Sequence, residues 1–133
     1  MNFKEIVAKA WEEVYGNDSA ELNDVIDNIK EIIDNILSYN KKSTVDRVLE
    51  RMGYDYSISY IRYFLEEIDE DILDIMNSYK TKEIDEDEAR NQLIELFSKI
   101  KEIEALVGDL EEELFVEEEF EEEYDDYEDY DDF

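Results

Sequence analysis

The chain has 133 residues and a formal charge of −29, with 42 acidic side chains against 13 Lys and Arg. It contains no Cys, His or Pro, which excludes disulfides, thiolate chemistry, histidine acid–base catalysis and His- or Cys-ligated metal centres. With only three Gly and no Pro, little interrupts a helix.

The opening MNFKEIVAKAWEEV is charged and amphipathic, unlike a signal peptide, and no apolar run approaches the ~20 residues of a membrane span. A soluble, cytoplasmic protein is expected. The length suits a single helical domain over residues 1–108 and an acidic, aromatic-studded tail over 109–133.

In chain order, Phe3, Ile6, Val7, Ala10 and Val14 repeat at three and four residues and predict a helix over 2–15, closed by Gly16 in a left-handed cap. Asp18 and Glu21 have capping-box spacing ahead of a second helix, about 19–39. Its stripe is Leu22, Val25, Ile26, Ile29, Ile32, Ile33, Ile36 and Leu37. Ser43 and Asp46 repeat the capping pattern before a short helix, 44–52, which ends at Gly53. A long helix, about 57–79, presents Ile58, Ile61, Phe64, Leu65, Ile68, Ile72 and Ile75 on one side. Asp85 and Glu88 cap the last helix, which carries Leu93, Ile94, Leu96, Phe97, Ile100, Ile103 and Val107. Its apolar spacing can continue through Leu110 and Leu114, over 109–117. Strand alternation is absent. The predicted fold is all-α: a small bundle of four long helices and one short helix, followed by a frayed or disordered acidic tail.

Residues 109–133, DLEEELFVEEEFEEEYDDYEDYDDF, hold 16 acids and no cation, so the other 108 residues carry only −13. Six rings interrupt the acids: Phe115, Phe120, Tyr124, Tyr127, Tyr130 and Phe133. Exposed rings carry a solubility cost, so this composition suits contact with a partner better than solvation alone. Carboxylates can replace phosphates in a basic groove while rings occupy the places of stacked bases. The final EDYDDF also resembles the acidic tip of single-stranded-DNA-binding proteins. That resemblance covers about six residues and implies a partner-docking role for Asp131, Asp132 and Phe133. The OB-fold body of that family has no counterpart here.

One segment runs against the general charge. Between residues 39 and 63, Lys41, Lys42, Arg47, Arg51 and Arg62 face only Asp46, Glu50 and Asp55. Tyr39, Tyr54, Tyr56, Tyr60 and Tyr63 lie among them, the interleaving of cations and rings that nucleic-acid contact uses. The string TVDRVLERMGYDYSISYIRYFLEEI, residues 44–68, resembles a helix-turn-helix. That resemblance implies groove-facing roles for Ser57, Ser59, Tyr60 and Tyr63. Leu49 departs from it, standing where a small residue is usual, and Ile58 and Ile61 fall one residue early relative to Gly53.

No catalytic constellation accompanies the carboxylates. Counting from Asp85, the calcium-loop pattern requires Gly at its sixth position and Glu at its twelfth, where Arg90 and Leu96 stand. No enzyme activity, cofactor or metal is expected. The leading expectation is an acidic interaction protein, a nucleic-acid mimic for the basic surface of a nucleic-acid-handling protein, of the kind a virus or plasmid encodes as an inhibitor. A charge of −29 repels nucleic acid and anionic membranes at long range. Two other readings are a DNA-binding regulator whose tail masks the Lys41–Tyr63 patch, and a bundle that self-assembles into homo-oligomers.

Overall fold

A computed structural model describes the backbone of residues 1–16 and 21–124 and the side chains of 1–16 and 21–115. Among the described residues five helices follow one another: α1 (Phe3–Tyr15), α2 (Leu22–Tyr39), α3 (Lys42–Arg51), α4 (Ile58–Lys80) and α5 (Glu86–Tyr124). Among the described residues there is no strand. The architecture is the all-α bundle expected from the apolar spacing, with α3 as the short helix.

The packing centres on α5. Ala89, Leu93, Phe97, Ile100, Ile103, Leu106, Val107, Leu110 and Leu114 are all buried along it, and each of the other four helices packs against it. Leu106 and Ala89 extend the stripe beyond the positions that the spacing singled out. A helix enclosed by neighbours buries a wider arc than one resting on a single surface. α2 contributes Val25, Ile26, Ile29, Ile33 and Ile36, while α4 contributes Ile58, Ile61, Phe64, Leu65 and Ile68.

α1 runs in the same direction as α5, as a series of contacts defines. The Met1 ammonium lies 3.6 Å from Glu86, Trp11 meets Phe97 edge-on at 5.2 Å, and Tyr15 donates to Glu104 at 3.3 Å. Parallel dipoles are unfavourable, and Lys101 offsets this at the C-terminal end of α1, donating to the Val14 carbonyl at 3.1 Å. Tyr79 holds the other end, with its hydroxyl donating to the Met1 carbonyl at 2.8 Å.

The helix ends differ in detail from the spacing. α1 begins with a full capping box between Asn2 and Glu5. Gly16 ends it at φ 68°, ψ −141°, a positive-φ conformation outside the left-handed helical region and one that glycine tolerates best. α2 begins after Glu21 with no side-chain cap, and Asp18 lies outside the described residues. α3 likewise starts at Lys42, after Lys41, without a side-chain cap. Asp46, paired by spacing with Ser43, instead accepts from the Ile58 amide at 2.8 Å, and Ser57 accepts from Tyr60 at 3.1 Å. Both groups therefore cap α4. At the last helix, Asp85 accepts from Glu88 at 2.8 Å, as its spacing predicts.

α5 crosses Gly108 without a break and continues to Tyr124. Leu110 and Leu114 are core residues, so residues 109–114 are packed with the bundle. Helical backbone reaches Tyr124, and residues 125–133, the end of the acidic tail, lie outside the described residues.

Three substitutions probe this continuity in urea denaturation. Leu110→Ala should lower stability by about 2–5 kcal/mol. Phe115→Ala, on the exposed side of the same helix, should change it by no more than about 0.5 kcal/mol. A methyl group at Gly108 would meet no atom within 4 Å, so Gly108→Ala should stabilise by about 0.5–1 kcal/mol.

Candidate functional site

The cation- and tyrosine-rich corner does not form one face. On a helix, residues two apart point about 200° apart, and Tyr60 and Arg62 accordingly leave opposite flanks of α4. Arg62 reaches α2 and pairs with Asp34 at 3.5 Å. Tyr60 turns to α5, where the Lys99 ammonium donates to its hydroxyl. Tyr63 points outward and is exposed.

Arg51 lies 3.9 Å from Glu113, while Lys41, Lys42 and Arg47 are exposed along α3 and its start. Tyr54 and Tyr56 are half-buried and pack on the core. Of the positions implied by the helix-turn-helix resemblance, Ser57 is occupied in capping α4 and Ser59 is exposed.

Part of the corner serves a different contact. Tyr56 and Tyr60 stack at 5.3 Å with planes 11° apart. The Lys99 ammonium lies 5.8 Å from the Tyr56 ring, 5.0 Å from Tyr60 and 4.7 Å from Phe64. These are cation–π distances. The rings that suggested base stacking hold a lysine of the protein's own central helix. No spacing pattern signals this pairing, because Lys99 lies on a helix remote in the chain from the tyrosines.

Beyond this contact, α4 and α5 enclose a shallow cleft of about 390 Å³, with Asp71, Asp74 and Glu95 on its walls and Ile75 and Leu96 at its base. It borders an acidic stretch of α4, Glu66–Asp74, that has six carboxylates and no cation. Partial burial, followed by the charge of Glu70, raises the Glu67 carboxyl above the usual range. Burial, with Glu104 alongside, raises the Tyr15 phenol. Among the described residues, no group of three or more ligating side chains converges as a metal site, and no helix is long and apolar enough to cross a membrane.

Among the described residues, the C-terminal part of α5 brings together the two most exposed large apolar side chains outside α4. Tyr39, ending α2, is 78% exposed, and Phe115 is 63% exposed. Both line a groove of about 350 Å³ with Ile36 and Leu114 below. Between Asp109 and Tyr124, ten of sixteen residues are acidic, over a helical rise of about 24 Å. The mean spacing is therefore about one carboxylate per 2.4 Å. Duplex DNA carries one charge per about 1.7 Å of axis and each strand one per about 3.4 Å.

Of the tail positions named from sequence, Phe115 is placed in this groove. Phe120 and Tyr124 lie on the helical backbone of α5, and Tyr127, Tyr130, Asp131, Asp132 and Phe133 lie outside the described residues. The groove itself was not legible, because it joins residues from two distant helices. Comparison with protein-family models, curated proteins and solved structures finds no match for this chain.

The raised Glu67 carboxyl has a defined sign in stability. A group that binds its proton more tightly in the folded state stabilises the fold below its unfolded pKa of about 4.5. That contribution is lost as pH rises through the folded value. Glu67→Gln should therefore raise the thermal midpoint at pH 7 and reduce the gain seen on acidification toward pH 4.5, as followed by circular dichroism.

Proposed function

We propose that the protein is a binding module whose acidic α5 and tail engage the basic surface of a nucleic-acid-handling protein, standing in for a nucleic-acid backbone. The observation that carries this reading is the line of carboxylates beyond Asp109, spaced along one helix at a density between those of single-stranded and duplex DNA. The first of these acids, Asp109 and Glu111–Glu113, stand on backbone that Leu110 and Leu114 pack into the bundle. A partner groove shaped for phosphates loses less entropy on binding that part than it would on binding a random coil.

Two further features support a protein partner over direct DNA binding, and a third bears on catalysis. Arg62 and Lys99 are held by internal contacts, and Arg51 lies beside Glu113. The total charge of −29 repels phosphate. The absence of His and Cys leaves few groups suited to catalysis at neutral pH.

The test must spare Leu110 and Leu114, whose loss would damage the core. Deleting residues 117–133 removes 12 acids and leaves both leucines in place. This truncated chain should unfold at nearly the same urea concentration as the full chain. Its capture of nucleic-acid-binding proteins from nuclease-treated extract should fall at least tenfold, and heparin should elute what the full chain captures. Equal capture by the two chains would refute the proposal.

A further inference from the structure

The groove between the end of α2 and α5 has no role in a purely electrostatic contact. Its floor is apolar, with Ile36 and Leu114 each only 4% exposed. Its walls are two rings, Tyr39 and Phe115, that a monomer leaves in water. Ring exposure of this kind marks contact surfaces. The volume of about 350 Å³ admits one or two large apolar side chains.

The charge around the groove is uneven. On the α5 side, Glu111 lines it, Glu112 and Glu113 adjoin, and the acid-dense end of the helix continues from there. On the α2 side, Asn40 is followed by Lys41 and Lys42 at the start of α3. A cationic segment is therefore attracted along α5 and repelled near α3, which gives the groove a direction.

We infer that the groove takes an apolar anchor from a basic amphipathic segment of the partner, with the segment's Lys or Arg residues lying along the acids of α5. This rests on the proposed function and adds the chemistry of the partner's contact. The acids steer and orient the segment. The groove discriminates, because burying an aromatic or aliphatic anchor between Tyr39 and Phe115 depends little on salt, whereas the carboxylate contacts weaken as salt rises.

The full chain is tested against three synthetic peptides of equal length. One carries Lys with Leu at helical spacing, one replaces each Leu with Ser while keeping the charge, and one replaces Lys with Glu. Fluorescence anisotropy at 150 mM salt should show the Lys/Leu peptide binding at least tenfold more tightly than the Lys/Ser peptide, with no binding of the Glu/Leu peptide. The double variant Tyr39→Ser, Phe115→Ser, whose changes are on exposed side chains, should lose that tenfold preference and keep its affinity for Lys/Ser.

Equal binding of the two basic peptides by the full chain would overturn the inference and leave the proposed function standing. Binding of neither would overturn both. Sedimentation showing a dimer that the double variant abolishes would also overturn the inference, because the groove would then belong to a second copy of the chain.

Discussion

The structure depends on burying α5 among its neighbours. Its apolar residues from Ala89 to Leu114 meet every other helix, so the remaining elements are organised by that surface. α1 lies along it in parallel, fixed by Trp11 against Phe97 and by Lys101 at its C-terminal carbonyls. α4 reaches it through the cage of Tyr56, Tyr60 and Phe64 around Lys99. Removing apolar area from water is the main favourable term available to a chain with this much like charge.

That burial also explains how the helix continues through Gly108 into its first acids. Neighbouring acids at i and i+4 each cost a few tenths of a kcal/mol, and the glycine at 108 costs about 1 kcal/mol relative to Ala. Leu106, Val107, Leu110 and Leu114 bury enough surface on either side of Gly108 to outweigh both. The functional proposal follows from the same arrangement: one helix is anchored in the core at one end and loaded with carboxylates at the other. The groove at Tyr39 and Phe115 lies where these two halves meet.

Much of the fold was legible because the apolar residues keep helical spacing with few breaks. The five helices and most of their buried faces follow from Ile, Leu and Val positions alone. Asp46 shows where spacing fails. Three residues after Ser43 it looks like part of a cap for its own helix, but the chain reverses at Gly53 and brings it to the amide of Ile58. Leu106 falls outside a single-face stripe, which underestimates burial on a helix packed on several sides. The separation of Tyr60 from Arg62 follows from helical geometry, but the partners that use them, Lys99 and Asp34, are set by tertiary packing. For the same reason composition could mark Phe115 as unusual but could not pair it with Tyr39.

The central claim is that the carboxylates beyond Asp109 replace the phosphates of nucleic acid. The most direct measurement is displacement of labelled duplex DNA from a basic DNA-binding protein by the full chain, at 50 and 200 mM salt. Competition for the same basic groove predicts release of the duplex on addition of the chain at 50 mM salt. It also predicts that the chain's own affinity for that protein falls by at least tenfold at 200 mM, as counterion release requires. A duplex that stays bound at 50 mM salt, or an affinity for the chain that is unchanged by salt, would contradict the account.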